Sequence, residues 1–360
     1  MKSVKLNSPV IGYSERRAAG KVLKSGQLAQ SKEVSEFEDS FSDFVEGRYC
    51  IAVNSGTSAL HTIFVSLGIG PGDEVLVPNF TFAASANSVA ITGAKVILVD
   101  VDIRTFTIDI NDLVSKISSR SKAILVVHLY GLPGNMPEIL KVSQERGLFV
   151  VEDAAQAHLA EIQAKRVGTF GVAAAFSFYP TKNMTSCEGG MIVTSEEYIR
   201  DFSKKFRNQG MLKRYENEIV GLNYRMTEIH AAIGVRQLRK IVSWTQRRQD
   251  NAAYLSERLK NYVEVPFVPE GYSHVFHQYT IKVTNNRETF IQKLWGHGIA
   301  SDVYYPFLIS DLPSFKSSHL HNPFPVSRKL SETVLSLPVH PKLSTKDLKR
   351  VCHAVIASHE

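Results

Sequence analysis

The sequence predicts an α/β protein with a mostly parallel sheet of seven strands, followed by a smaller C-terminal α+β domain. Up to residue 194, short apolar runs bounded by Gly, Pro or Asp alternate with helical stretches. This alternation is typical of a parallel sheet covered by helices on both faces. Beyond residue 194 the pattern changes to longer helical stretches and one alternating run. We expect a large domain over residues 1–240 and a small domain over residues 241–360.

Seven runs are predicted as the strands of the sheet: residues 50–53, 74–78, 95–100, 123–128, 148–151, 173–178 and 190–194. The helical patterns with the clearest spacing cover residues 14–24, 33–45, 136–146 and 226–260. In the C-terminal part, residues 276–283 alternate as in a half-buried antiparallel strand. Helical patterns over residues 287–297 and 345–358 would cover that strand.

Composition excludes several classes of protein. The chain has 360 residues, 44% hydrophobic and 21% charged, which are ordinary values for a globular protein with a sizeable core. Its apolar runs fall far short of the roughly 20 residues that span a membrane, and the first residues lack the apolar segment of a signal peptide. Cys50, Cys187 and Cys352 form no CxxC pattern. They therefore predict neither a disulfide framework nor a zinc or other metal site, and we expect a cytoplasmic protein.

The net charge of +7 does not indicate a nucleic-acid-binding protein. The densest basic cluster, residues 236–248, is diluted by apolar residues at helical spacing, which favours a solvated helix face. No helix-turn-helix, zinc-finger or RNA-binding motif accompanies the charge. A mild positive excess is also compatible with an anionic small substrate, such as one carrying a diphosphate.

The most informative residues are Asp153 and Lys182. Asp153 lies at the end of one predicted buried strand, and Lys182 follows another on a loop after Pro180. In an open α/β sheet, ligands bind beyond the carboxyl ends of the strands, so both side chains are expected in one crevice. Either residue alone is more simply a solvated surface charge. Together they indicate a Schiff-base lysine for pyridoxal phosphate and an aspartate that keeps the cofactor's ring nitrogen protonated.

The turn after the first predicted strand is a candidate phosphate site. Residues 54–60 lead through Gly56 and Thr57 directly into a helix, which aims free backbone N–H groups and a positive dipole end outward. A Ser/Thr helix cap is the simpler interpretation, and this turn alone is a weak signal. The turn has no GxxxxGK pattern, and the glycines at 68, 70 and 72 do not match a dinucleotide fingerprint.

Eight motifs occur in the order of a known family. They are Ser55-Gly-Thr-Ser-Ala-Leu60, Pro71-Gly-Asp-Glu-Val75, Thr81-Phe82, Val127-His-Leu-Tyr-Gly131, Glu152-Asp-Ala-Ala-Gln156, Ser177-Phe-Tyr-Pro-Thr-Lys-Asn183, Glu188-Gly-Gly190 and Gly221-Leu-Asn-Tyr-Arg-Met226. The chain resembles the DegT/DnrJ/EryC1/StrS sugar aminotransferases, which use pyridoxal phosphate and have fold type I. The resemblance is dense up to about residue 260 and looser beyond.

The resemblance implies a role for each motif residue around the cofactor. Lys182 would form the internal aldimine and shuttle a proton, Asp153 would pair with the ring nitrogen, and Gln156 would reach the ring-hydroxyl side. Phe82 would stack on the ring, although a core aromatic is a credible alternative. The phosphate would be held by Gly56, Thr57 and Ser177, with Asn223 reaching it from a neighbouring subunit, which implies a homodimer.

The resemblance also implies the reaction, with glutamate as amino donor and a nucleotide-linked keto sugar as acceptor. Five residues separate Asn183 from Gly189, as in members that aminate 4-keto-6-deoxyhexoses. A 3-keto sugar and a catalytically idle regulatory relative remain alternatives, and the lysine at 182 disfavours the dehydratase branch, which has histidine there. Arg225 would bind a carboxylate or phosphate, or be a surface arginine. His277 and Tyr304 would line the substrate pocket, or pack the small domain.

Overall fold

The computed structural model describes residues 3–283, 286–316 and 323–359. The helices are α1 (Tyr13–Ser25), α2 (Lys32–Ser42), α3 (Gly56–Ser66), α4 (Ala83–Ala90), α5 (Ile110–Lys116), α6 (Met136–Arg146), α7 (Glu197–Phe206), α8 (Glu228–Leu259), α9 (Arg287–Gly296), α10 (Pro325–Thr333) and α11 (Thr345–His359). Short 3₁₀ turns cover Asp43–Val45, Leu129–Gly131 and Ile309–Asp311. In the part of the chain so described, no helix is both long enough and apolar enough to cross a membrane.

The strands are β1 (Tyr49–Val53), β2 (Glu74–Pro78), β3 (Lys95–Val99), β4 (Ser121–Val127), β5 (Phe149–Asp153), β6 (Glu161–Ile162), β7 (Lys165–Arg166), β8 (Ala173–Ser177), β9 (Gly190–Thr194), β10 (Met211–Lys213), β11 (Glu216–Asn217), β12 (Tyr272–Ser273), β13 (Tyr279–Lys282) and β14 (Val334–Leu337). Seven of them form one sheet in the order β1-β9-β8-β5-β4-β2-β3. Only β9 runs antiparallel to the other six strands of this sheet. The predicted mostly parallel sheet of seven strands is confirmed.

Both faces of this sheet are buried, as the continuous apolar runs predict. Along β8, Ala173 and Ala175 contribute to a core shared with α3 and α4. The alternate residues, Ala174 and Phe176, contribute to a second core shared with α2 and α8. Because successive side chains of a strand point to opposite faces, a strand with helices on both sides needs apolar residues at every position.

The C-terminal part has its own core around a two-stranded antiparallel pair, β13 and β14. Helix α8 joins the two cores: Ala231, Val235 and Leu238 pack against the large sheet, and Leu255 and Leu259 pack in the C-terminal core. The predicted boundary after residue 240 thus falls inside one continuous helix. We propose that it marks the region of α8 where the helix stops packing on the large sheet and begins to pack in the C-terminal core.

Residues 4–10, called here the N-terminal strap, lie against the C-terminal part. The backbone of Val4 pairs with Ile299, and the Lys5 carbonyl accepts a hydrogen bond from His340 Nε2 at 3.0 Å. Further along, the Val10 carbonyl accepts from Gln237 Nε2 on α8 at 2.8 Å. Residues 7–10 also line a cavity together with residues 180–183, so the strap runs from the C-terminal core across to the loop that carries Lys182.

Candidate active site

The structure brings Asp153 and Lys182 to the same edge of the sheet. Asp153 is the last residue of β5, and Lys182 lies on the loop that follows β8, the parallel neighbour of β5. Burial lowers the pKa of the Lys182 amine from 10.5 to about 8, and the nearby Asp153 carboxylate acts in the opposite direction. The two groups therefore interact across one crevice, and a substantial fraction of the amine is neutral near physiological pH.

Two hydrogen bonds orient the Asp153 carboxylate, which is only 7% exposed. The Ser85 hydroxyl donates to Oδ2 at 2.8 Å, and the Ala155 N–H donates to Oδ1 at 3.2 Å. Both donors are neutral, so they fix the position of the carboxylate without neutralising its charge. An anionic group held this way suits a protonated ring nitrogen.

Gln156 is held on two sides and keeps one donor free. Its Oε1 accepts from the Tyr130 N–H at 2.8 Å, and its Nε2 donates to the Tyr305 hydroxyl at 2.8 Å. A side-chain amide has two N–H groups, so the second remains for a ligand in the crevice. The expected contact of Gln156 with the cofactor's ring hydroxyl remains a prediction.

Gly56, Thr57 and Ser177 meet at the start of α3. The first N–H groups of a helix have no partner inside the helix. Here the Ser55 hydroxyl caps only the Ser58 N–H, at 3.1 Å. A Cβ added to Gly56 would lie 2.9 Å from the Ser177 Cβ, so only glycine permits this close approach. The result is a cradle of backbone N–H groups, a hydroxyl and a positive helix end, which suits a phosphate.

Phe82 lies at the rim of this crevice. It is the N-cap residue of α4, one turn before Ser85, and the residue is 59% exposed in the single chain. The ring centroid lies 6.0 Å from that of Tyr305, at an interplanar angle of 37°. Phe82 is therefore not a core aromatic, and its stacking on the cofactor ring remains a prediction.

Asn223 and Arg225 lie near the phosphate cradle but have other contacts in the single chain. Asn54, at the start of the turn, donates its N–H to the Tyr224 carbonyl at 2.8 Å. Asn223 is exposed, and Arg225 Nη1 donates to Asn208 Oδ1 at 2.8 Å. The structure thus places this segment beside the cradle, while the expected roles of both side chains toward ligands remain predictions.

His277 and Tyr304 occupy different positions relative to the lysine. His277 is buried, with Nδ1 lying 3.3 Å from Asn183 Oδ1. Burial and then the charge of Lys182 lower its pKa well below 6.5. The Tyr304 hydroxyl accepts from Asn7 Nδ2 of the strap at 3.1 Å. His277 therefore borders the lysine, whereas Tyr304 joins the strap to the site wall, and their substrate contacts stay predictions.

Sequence reasoning missed three residues that the fold brings into the site: Ser85, His158 and Tyr305. Ser85 had a signal, because residues three apart on a helix share a face and Phe82 was already a candidate. His158 packs on Phe176 and Phe178, and its pKa is lowered to about 3 by burial and by Lys182. No sequence pattern marks Tyr305 beyond its position next to Tyr304. Its contact in the site, Gln156, lies 149 positions earlier in the chain.

Glu152, the neighbour of Asp153, has a structural role. Its carboxylate accepts from the backbone N–H groups of Gly168, Phe170 and Gly171, each at 2.8 Å. His128 Nδ1 accepts from the Gly134 N–H at 3.0 Å, so Nε2 carries the proton and donates to Glu152 at 3.0 Å. These donors lower the pKa of Glu152 even though burial acts in the opposite direction. The His-containing and Glu-Asp motifs thus form one buried network.

Comparison with known proteins decides the family. Residues 9–356 match the family model described as "DegT/DnrJ/EryC1/StrS aminotransferase family". The chain belongs to this family. The resemblance inferred from the eight motifs is confirmed, and it extends over nearly the whole chain rather than thinning out after residue 260.

Relatives of this aminotransferase act on different sugars. It is 36% identical over 93% of its length to a "UDP-N-acetyl-3-dehydro-alpha-D-glucosamine 3-aminotranferase" from Acidithiobacillus ferrooxidans, 91% of which is covered. It is 40% identical to a "GDP-perosamine synthase" from Caulobacter vibrioides, with 89% of each chain covered. The crystal structure of S. venezuelae DesV in complex with ketimine intermediate superimposes with a TM-score of 0.92 at 34% identity, covering 96% and 94% of the chains.

The protein is a sugar transaminase of fold type I, and pyridoxal phosphate is its cofactor. The residues described above fit that group. The cradle at Gly56 and Ser177 suits its phosphate, the Asp153 carboxylate suits its ring nitrogen, and the Lys182 amine suits its aldehyde.

Proposed function

We propose that this aminotransferase moves the amino group of glutamate to a nucleotide-linked keto sugar, with a 4-keto-6-deoxyhexose as the first candidate. The observation that carries the proposal is the Lys182 amine, with a pKa of about 8, beside the fixed carboxylate of Asp153. A structural lysine would gain stability by staying charged. An amine kept partly neutral is suited to nucleophilic and acid–base chemistry.

Each residue of the site would have a separate role in the reaction. Bound pyridoxal phosphate supplies an electron sink for the donor's α-carbon. The Lys182 Nζ would take a proton from that carbon and later return a proton to the sugar carbon that receives the amine. Asp153, held in place by the Ser85 and Ala155 donors, would face the ring nitrogen of the cofactor. Gln156 and the start of α3 would hold the two ends of the cofactor in register with the lysine.

Two ketone positions have support. The loop between Asn183 and Gly189, with five intervening residues, favours amination at C4. Amination at C3 is the second candidate, because the relative from Acidithiobacillus ferrooxidans is named as a 3-aminotransferase. The basic character of the chain fits a diphosphate-linked substrate for either position.

We also propose that the active form is a homodimer. Residues 208–225 include the small hairpin β10–β11 and carry unusually exposed apolar side chains: Tyr215, in the hairpin turn, is 80% accessible to solvent, and Val220, just after the hairpin, is 93% accessible. Exposed apolar groups of this kind are typical of an interface. Asn223 lies on the same segment, so a partner's hairpin would carry it toward the phosphate cradle.

We further propose a cytoplasmic location, because three cysteines without disulfides fit a reducing compartment.

The decisive experiment is a substrate panel. Purified protein loaded with pyridoxal phosphate is incubated with glutamate and, separately, with 4-keto and 3-keto sugars carrying UDP, dTDP or GDP. Products are identified by mass and NMR. We expect an amino sugar formed at C4. Amination at C3 alone would replace the first candidate by the second, and no amination of any sugar would refute the proposal. Lys182→Ala protein is the control for background reaction.

A further inference from the structure

The side chain of Asn183 ties the loop of Lys182 to the C-terminal part of the chain. Asn183 directly follows the lysine and is only 5% exposed. Its Nδ2 donates to the Val275 carbonyl at 3.2 Å, and its Oδ1 lies 3.3 Å from His277 Nδ1. Asn183 has no role among those expected around the cofactor. It nevertheless joins the lysine's loop to a segment that lies more than 90 positions later, since the Val275 contact spans 92 positions.

The two partners of Asn183 determine which atoms carry protons. A backbone carbonyl only accepts hydrogen bonds, so the amide nitrogen must face Val275. The amide oxygen also only accepts, so His277 Nδ1 carries a proton and donates it to Asn183. Burial, and then the charge of Lys182, lower the pKa of His277 well below 6.5, so the imidazole is neutral at pH 7. The contact is therefore a directional hydrogen bond between neutral groups.

The segment that receives this hydrogen bond is itself held on two sides. The Val275 N–H donates to the Gly131 carbonyl at 3.0 Å. From α8, Arg248 Nη1 donates to the carbonyls of Phe276 at 3.1 Å and His277 at 3.4 Å. A Cβ added to Gly131 would lie 2.8 Å from Val275 Cγ2, so the two backbones pack closely. The segment is therefore a fixed anchor for the loop of Lys182.

The backbone of Lys182 has few other ties nearby. Its N–H donates to the Tyr179 carbonyl at 2.9 Å, which closes a turn within the same loop. The next hydrogen bond to another element comes at Thr185, whose N–H donates to Gln237 Oε1 on α8 at 3.3 Å. Among the hydrogen bonds of the described residues, the tie from Asn183 is thus the nearest to Lys182 that reaches another part of the chain.

We propose that Asn183 and His277 are positioning residues for Lys182: their hydrogen bond fixes the lysine's loop to the segment at 275–277, so that the amine keeps its place near Asp153 while it is not joined to the cofactor. Position matters for proton transfer, because a misplacement of about 1 Å can lower a rate about 10²-fold. This role rests on the proposed function of Lys182 as acid and base. It is separate from the predicted substrate contact of His277, for which Nε2 would remain.

The pKa of Lys182 in the full-length apoprotein reports the position of the amine without any substrate. Burial lowers this pKa to about 8, so an amine that moves into water should titrate nearer to about 10.4. Competitive labelling with acetic anhydride across a pH series, read by mass spectrometry of the peptide that contains Lys182, measures the midpoint. We expect the midpoint to rise by about one pH unit or more in Asn183→Ala and in His277→Ala.

Two further variants separate this role from a contribution to stability alone. In His277→Asn, the amide nitrogen takes nearly the place of Nδ1 and keeps a donor for Asn183, so the midpoint should stay near the wild-type value. Asn251→Ala is the matched control. Asn251 is also a buried asparagine that donates through Nδ2, to the carbonyls of Val339 and His340 at 3.2 Å each. Its loss should lower the stability of the protein without moving the midpoint.

Deuterium at the α-carbon of glutamate reports the proton transfer itself. In single-turnover reactions of the holoenzyme with glutamate, we expect the limiting rate to fall about 10²-fold in Asn183→Ala. The half-saturating glutamate concentration should change by less than about three-fold, because the residue is not expected to bind the donor. The isotope effect should increase, since proton transfer becomes the slow step. Asn251→Ala should leave all three quantities at their wild-type values.

Two labelling outcomes overturn the positioning role: midpoints unchanged in both alanine variants, or a midpoint in His277→Asn as high as that in His277→Ala. An unchanged limiting rate in Asn183→Ala also overturns it. Asn183→Leu keeps the size of the side chain and loses both hydrogen bonds, so it replaces Asn183→Ala if that variant does not fold. The labelling needs neither glutamate nor a sugar, and its result therefore stands even if the sugar panel fails.

Discussion

At Lys182, burial and a nearby carboxylate act on the pKa of one amine in opposite directions. Burial has the larger effect, and the pKa falls from 10.5 to about 8. The sequence predicts the lysine, because it follows a buried strand beside an Asp-bearing one. It does not predict how far the pKa falls, since that depends on the strap and on side chains such as His158 and His277 that pack around the amine only in the folded chain.

This pKa predicts the pH dependence of cofactor capture. Attack on an aldehyde needs the neutral amine, so the rate at which apoprotein takes up pyridoxal phosphate is expected to rise about ten-fold per pH unit well below pH 8 and to level off above it. Stopped-flow absorbance of the covalent yellow band measures this rate. A rate that is flat between about pH 6.5 and 9 would contradict the lowered pKa. Lys182→Ala protein should form no covalent band at any pH.

Tyr305 offers a second test at the scale of one hydroxyl. Tyr305→Phe removes the acceptor of the Gln156 Nε2 hydrogen bond, and a neutral hydrogen bond contributes about 1 kcal/mol. We therefore expect pyridoxal phosphate to bind roughly five-fold more weakly, as measured by equilibrium fluorescence titration. Tyr304→Phe is the control, because that hydroxyl contacts Asn7 of the strap instead. Equal cofactor affinities in the two variants would show that Tyr305 does not position Gln156.

At the scale of elements, the end of β5 supports two neighbouring loops through alternating side chains. Asp153 faces the crevice, and Glu152, one residue earlier, points to the opposite face. There it accepts hydrogen bonds from the loop at residues 168–171 and from His128. The sequence motif marks both acids equally. Only the fold separates Asp153, which faces the crevice, from Glu152, which holds the loops.

Glu152→Gln tests this structural role. The amide keeps the size of the side chain but loses the charge that the backbone N–H groups and His128 solvate, so we expect a loss of about 2–4 kcal/mol in the free energy of unfolding by urea. Glu145→Gln, the same change on the exposed face of α6, should alter it by less than about 0.5 kcal/mol. Similar values for both variants would mean that the buried network contributes little.

The same buried carboxylate sets a direction for acid stability. The folded-state pKa of Glu152 is lowered, so its contribution is fully present above the pKa of the unfolded chain. The contribution is lost as pH falls through the folded-state value. The stability difference between wild type and Glu152→Gln should therefore shrink on acidification, and a difference that grows toward low pH would contradict the assignment.

Element prediction succeeded where the apolar pattern was continuous. All seven sheet strands lie within about two residues of the predicted bounds, because buried strands leave an unbroken run of apolar residues. The hairpin β10–β11 was missed, since its strands are two or three residues long and mostly exposed. The strand predicted over residues 276–283 begins only at Tyr279. Phe276 has a positive φ of 44°, and the segment before Tyr279 contacts Arg248 and Asn183 instead of a strand.

At the scale of the whole molecule, the candidate site combines residues from 55 to 305. The motif residues up to Lys182 were predictable because each follows a strand of the sheet, and strand ends meet at one edge. Tyr305 was not predictable in this way. It reaches the site through the packing of the C-terminal part, and no periodicity in a single sequence specifies that packing.

The proposed dimer is tested on the hairpin. Val220→Asp places a charge on a side chain that is 93% exposed in the single chain, so the monomer should tolerate it while an apolar interface should not. We expect sedimentation velocity to show dissociation, together with loss of transaminase activity. Val242→Asp on the outer face of α8, where the side chain is 59% exposed, is the control. A Val220→Asp protein that still sediments as a dimer would exclude this part of the 208–225 segment from the interface.

The strap has a consequence for biosynthesis. Val4 pairs with Ile299, Asn7 with Tyr304, and the Lys5 carbonyl with His340. During synthesis, residues 4–10 leave the ribosome early, whereas these partners are synthesised only near the end of the chain. A nascent chain halted short of about residue 300 would therefore leave the loop of Lys182 without the strap fixed beside it. The maturation of this enzyme is expected to finish only after its translation is nearly complete.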